Sequence, residues 1–149
     1  MNDQADQCCL NVLILEDEVD ICDLIEFAVT DLGLTALKAH NIEEAIHHLK
    51  NNKVAFGYFD YHLEDGSNPF DESNKEFLAL LKSLPDFEFV IITGDYDVDS
   101  DIVDEIKIQK IFHKPLSCEE LQIILKEFLF AKRDKICLFK NRTCPVQLQ

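Results

Sequence analysis

The sequence predicts an α/β domain built on a doubly wound, five-stranded parallel sheet. Three observations predict it. Five short apolar runs recur along the chain, each continuous enough to be buried on both faces. Stretches with helical apolar spacing separate them, as crossover connections between parallel strands require. Polar residues cluster where the apolar runs end, at the edge where such sheets bind ligands.

The first strand is LNVLIL (10–15). After it, Ile21, Leu24, Ile25, Ala28, Val29 and Leu32 recur at helical spacing, and Gly33 ends the helix. LTALKA (34–39) is the second strand. Asn41 then caps a helix carrying Ile42, Ala45, Ile46 and Leu49, with Glu44 placed for a capping box. VAFGYF (54–59) is the third strand, followed by the turn-rich LEDGSNPFDES (63–73). Phe77, Leu81 and Leu84 mark a third helix, which Pro85 closes. FEFVIIT (87–93) is the fourth strand, and an acidic helix over 97–105 follows, with Val98, Ile102 and Ile106 inward. QKIFH (109–113) is the fifth strand. Ser117 and Glu120 form a capping box for a last helix that shows Leu121, Ile124, Leu125, Phe128 and Leu129.

The chain has 149 residues, the size of one domain, and 47% of them are hydrophobic. We divide it into an N-terminal extension (1–9), the α/β body (10–131) and a basic tail (132–149). The formal charge of −15 opposes direct binding to nucleic acid or to an anionic membrane. No apolar run is long enough to span a bilayer, and the polar, acidic start MNDQADQCC has no signal-peptide pattern. A cytoplasmic location with reduced thiols is therefore expected for the six cysteines. None of them forms a CxxC or His/Cys zinc pattern. Cys22 falls inside a helix as a core or boundary residue. His47 and His48 are read as surface or boundary residues.

The residues at the strand ends carry the chemistry. Glu16, Asp17 and Glu18 follow the first strand, Asp60 the third, Thr93 and Gly94 the fourth, Lys114 and Pro115 the fifth. The second strand offers only His-Asn. Glu16, Asp17 and Asp60 would bring three carboxylates together, which is costly without a cation. A few hard oxygen ligands with room for water suit Mg²⁺. Lys114 adds a compact positive charge and Thr93 a hydroxyl donor. A cation, a lysine and a hydroxyl around one carboxylate suit phosphoryl transfer, with the carboxylate as nucleophile. Glu18 and Asp20 are left to the start of the first helix.

On these residues the chain resembles the CheY-like receiver domains of two-component response regulators. VLILEDE is similar to the family's acidic pair, YFDYHLEDGS to its phosphoacceptor strand and loop, VIITGD to its Thr/Ser strand and IFHKPLS to its Lys-Pro motif. The resemblance covers roughly residues 10 to 130 and implies the flavodoxin-like strand order 2-1-3-4-5. It implies that Asp60 accepts the phosphoryl group, that Thr93 and Lys114 bind it, and that Asp17 holds Mg²⁺ directly. Glu16 would act on the metal mostly through water, and the backbone carbonyl of His62 would be a further ligand. Pro115, commonly preceded by a cis bond in the family, would aim Lys114. His62 and Asp95, each two residues past a site residue, would modulate access of water to the phosphoryl group.

Three departures from the family pattern bear on function. Ile111 stands where an aromatic often switches rotamer, and Phe112 should point to the other face. The loop after the third strand carries about half a dozen extra residues near NPFDES, and Glu64 replaces a common proline. No output domain follows, so the expectation is a stand-alone receiver. It would be phosphorylated by a histidine kinase or phosphotransfer protein in a Mg²⁺-dependent reaction. It would lose the group slowly by itself and act on an unknown downstream protein. The basic tail would cover the partner-binding face near 97–113. The alternative is a constitutive, non-switching receiver-like adaptor. A haloacid-dehalogenase-type phosphatase fits less well, because that family has DxD at its nucleophile and this chain has DYH.

Overall fold

The computed structural model describes residues 10–61, 63, 68–84, 86–94 and 110–136. The N-terminal extension, His62, Glu64, Pro85, Asp95, the expected acidic helix over 97–105 and the tail past Ile136 lie outside the described residues.

Five strands form one parallel sheet: β1 (Asn11–Leu15), β2 (Thr35–Ala39), β3 (Val54–Asp60), β4 (Glu88–Thr93) and β5 (Lys110–His113). Their order is β2-β1-β3-β4-β5, the order the resemblance implied. Four helices are described: α1 (Val19–Asp31), α2 (Ile42–Asn51), α3 (Lys75–Ser83) and α4 (Cys118–Ile136). The last therefore carries the first residues of the basic segment. No helix among the described residues is long and apolar enough to cross a membrane.

Alternation along the buried strands divides the core into two layers. Val12, Ile14, Phe56, Tyr58, Val90 and Ile92 pack on one face with α1 and α4. Leu13, Leu15, Phe59, Phe89 and Ile91 pack on the other with α2 and α3. All five predicted core residues of α4 are buried. In α1 the inward stripe is Cys22, Ile25, Ala28 and Val29, whereas Leu24 is 37% exposed. Leu24 falls outside that stripe, which is centred on Ile25, whereas Cys22 lies within it and is fully buried.

Local signals set the helix ends. Gly33 adopts a positive φ of 86°, the left-handed conformation that closes α1 without a Cβ penalty. Ser117 and Glu120 form the reciprocal capping box of α4, with bonds of 3.1 and 2.9 Å. At α2 the Asn41 Oδ1 accepts from the Glu44 amide at 2.8 Å. The Glu44 carboxylate, however, reaches the amide of His40 at 2.7 Å, one residue earlier than a capping box uses. His48 is also better held than expected, with Nε2 2.9 Å from the Lys38 carbonyl.

Residues 68–74, ahead of α3, are anchored from inside. Phe70 is buried and stacks on Phe89 and Tyr61, with ring centroids 5.9 and 6.2 Å apart. Asn68 Oδ1 accepts the Phe70 amide, and Asn74 Nδ2 donates to the carbonyls of Asn68 and Pro69. A turn-rich stretch thus gains an aromatic tether beside the strand that ends in Asp60.

Candidate functional site

Parallel strands deliver their carboxyl ends to one edge, and the polar residues predicted there meet. Glu16 follows β1 directly, and its amide continues the sheet ladder to the Ala39 carbonyl at 3.0 Å. Asp60 and Thr93 are the last residues of β3 and β4. Lys114 follows β5, and its amide donates to the Thr93 carbonyl at 2.8 Å. The peptide between Lys114 and Pro115 is cis. Among the described residues, the buried polar or charged side chains are Glu16, Asp60 and Thr93, all at this edge.

Burying acids without a partner is expensive. Here Lys114 supplies the partner. Its Nζ lies 3.0 Å from Glu16 Oε1 and 3.3 Å from Asp60 Oδ2, with the more exposed Glu18 at 3.8 Å. Glu16 Oε2 also accepts the Glu18 amide at 3.2 Å. One ammonium between two buried carboxylates leaves excess negative charge. Carboxylate oxygens of Glu16, Asp17 and Asp60 lie within 4.8 Å of one another.

The electrostatics follow. Burial first, and then the Asp60 charge, push the Glu16 carboxyl up to about 7, against the lowering effect of Lys114. Burial works to lower the Lys114 ammonium, but Asp60 and Glu16 together outweigh it and hold it above its ordinary value. The lysine therefore stays charged at neutral pH. Three hard oxygen donors around a charge deficit of this kind fit Mg²⁺.

The structure thus brings Glu16, Asp17, Asp60, Thr93 and Lys114 to one edge. Glu16 is the most deeply buried of the acids, and Asp17 is half-buried. The expected modulators His62 and Asp95 lie outside the described residues. Ile111 is partly buried on the α2–α3 face of β5, whereas Phe112 packs toward α1 and α4. The sequence reading gave no role to His40, the histidine after the second strand, whose Nδ1 lies 2.9 Å from the Glu16 carbonyl. A signal was available: β2 neighbours β1, so the residue following β2 must flank the acidic turn.

No family model and no curated protein matches the sequence. Solved structures do match the fold. The CheY-like response regulator receiver domain protein from Methanospirillum hungatei JF-1 aligns with a TM-score of 0.69 at 19% identity, covering 85% of this chain and 98% of that one. The chemotaxis response regulator CheY4 of Vibrio cholerae aligns at 0.67 with 18% identity, covering 81% and 99%. A response regulator from Thermotoga maritima aligns at 0.62 with 17% identity, covering 82% and 98%. The chain has the fold of CheY-like receiver domains over almost the whole length of those proteins.

Proposed function

We propose that this receiver fold works as a phosphorylation-dependent signalling switch, with Asp60 as the phosphoacceptor. The observation that carries the proposal is Lys114 Nζ held between the buried carboxylates of Asp60 and Glu16, at 3.3 and 3.0 Å. A structural ion pair needs one acid. Two buried acids beside a third describe a site that awaits further positive charge.

In the proposed step an ionised Asp60 oxygen attacks the phosphorus of a phosphohistidine on a histidine kinase or phosphotransfer protein. The O–P bond forms as the P–N bond breaks. The imidazole nitrogen keeps the bonding electrons and takes a proton from solvent. Lys114 follows the phosphoryl oxygens, and the Thr93 hydroxyl donates to them. Glu16, Asp17 and Asp60 would hold Mg²⁺, which when bound neutralises charge on the acid cluster and the phosphoryl group. The product is an acyl phosphate that the site slowly hydrolyses, so the chain is a switch and not a metabolic enzyme. Its output is contact with a downstream protein. The net charge of −15 favours neither nucleic acid nor anionic membrane as that partner.

The test is intact mass after incubation with acetyl phosphate, with and without Mg²⁺, beside Asp60→Asn. The proposal expects the mass of one phosphoryl group, dependent on Mg²⁺ and absent from the variant. Equal labelling of Asp60→Asn would refute it. So would no labelling from acetyl phosphate or from a panel of phosphorylated histidine kinases. That second outcome favours a constitutive adaptor, which Ile111 supports: its aliphatic side chain sits where the resemblance implies a switching aromatic.

A further inference from the structure

We infer that His40 is a positioning residue for the cation site, fixing the Glu16–Asp17 peptide through a hydrogen bond from its imidazole. The inference rests on the proposed reading of that site and names a residue outside the motifs that support it.

The β1–β2 ladder pairs residues up to Leu15 and Ala39, and the Glu16 amide adds one more bond to Ala39. The Glu16 carbonyl lies past the last paired residue. His40 Nδ1 meets it at 2.9 Å. An acceptor carbonyl requires the proton on Nδ1, so this contact selects the tautomer. His40 is itself fixed. Its amide donates to Glu44 Oε1 at 2.7 Å, and Glu44 is held in turn because its own amide donates to Asn41 Oδ1 at 2.8 Å. The start of α2 therefore clamps His40, and His40 clamps the carbonyl of Glu16.

That carbonyl belongs to the peptide joining Glu16 to Asp17. Rotating the peptide plane changes the direction in which Asp17 leaves the backbone. It also changes the distance between the Glu16, Asp17 and Asp60 oxygens, now within 4.8 Å. A cation that demands near-octahedral geometry is sensitive to such displacement. Partners that orient metal ligands typically change affinity by about 10- to 100-fold when removed. Because His40 acts through a backbone carbonyl, its effect needs a donor at the Nδ1 position and nothing else about histidine. Asn places an amide nitrogen there. Gln places one farther out, near Nε2.

The test is Mg²⁺ titration by calorimetry of wild type, His40→Asn, His40→Gln and His40→Ala, with metal-free thermal unfolding of each. We expect Ala and Gln to weaken Mg²⁺ binding by about 10-fold and Asn to restore it to within about 3-fold of wild type. Gln keeps the comparison usable if Ala compromises folding. Equal affinity in all four proteins would overturn the inference while leaving the cation site standing. Equal loss in Asn and Gln would also overturn it, because the hydrogen bond would not be the cause. No Mg²⁺ binding by the wild-type chain would refute the underlying reading, and the inference with it.

Discussion

Replacing Asp60 with Asn should abolish phosphorylation and, in the metal-free protein, stabilise the fold. Charge crowding is the reason. The oxygens of Glu16, Asp17 and Asp60 lie within 4.8 Å of one another. Each repulsion felt by Asp60 is then at least about 3.5 kcal/mol at an effective dielectric of about 20. Attraction to Lys114 at 3.3 Å returns about 5 kcal/mol on the same scale. With both other acids ionised, the balance is about 2 kcal/mol against the Asp60 charge. Asn occupies nearly the same volume and carries no charge to desolvate. For a chain of this size, about 2 kcal/mol corresponds to a Tm increase of roughly 4–8 °C. The assay is calorimetric unfolding at about pH 8, where Glu16 is ionised, in EDTA and again in saturating Mg²⁺. The gain should appear in EDTA and shrink with Mg²⁺, because the cation removes the repulsion that Asn relieves. An Asp60→Asn protein no more stable than wild type in EDTA would show that charge crowding does not destabilise the metal-free site. A gain unaffected by Mg²⁺ would point to packing instead of charge.

Glu16 titrates near 7 in the fold, above its ordinary 4.5. Its protonated form therefore favours the folded state: that contribution is complete below 4.5 and lost as pH rises through about 7. Metal-free stability should show this decline in wild type and lack it in Glu16→Gln, and Mg²⁺ binding near neutral pH should release protons. Phe70→Ala should cost about 3–5 kcal/mol in urea unfolding, since the ring is buried against Phe89 and Tyr61; a change of a few tenths would mean the loop is not tethered. Gly57→Ala would put a Cβ 2.8 Å from Phe59 Cε1 and 3.0 Å from Phe87 Cζ, and should cost about 1–3 kcal/mol. Gly94→Ala, with nothing within 4 Å of the added carbon, should stay within about 0.5 kcal/mol of wild type, and equal effects at the two glycines would contradict this account of β3.

The strands and the site residues at their ends were legible because both follow from one-dimensional patterns. Continuous apolar runs mark strands buried on two faces, and parallel crossovers leave their carboxyl ends no choice of edge. The sequence pattern alone thus places Asp60, Thr93 and Lys114 together. What stayed hidden depends on neighbours in space. His40 reads as the start of a turn until β2 is set beside β1. Phe70 reads as a loop residue among turn formers, yet its ring enters the aromatic cluster. Leu24 obeys helical spacing, but spacing alone does not locate the centre of the buried stripe, which belongs to Ile25. Glu44 lies at the start of α2, as its spacing from Asn41 predicts, but its carboxylate reaches the amide of His40 and not that of Asn41.

The proposed switch depends on a covalent bond to one oxygen of Asp60. The most direct measurement is to treat the protein with acetyl phosphate and Mg²⁺, reduce it with borohydride, digest it and sequence the peptides by mass spectrometry. Borohydride converts an aspartyl phosphate to homoserine and leaves free carboxylates intact. Homoserine is expected at position 60 and nowhere else, and is lost when Mg²⁺ is withheld. Homoserine at another acid, or an unmodified Asp60 in a protein that has gained phosphoryl mass, would contradict it.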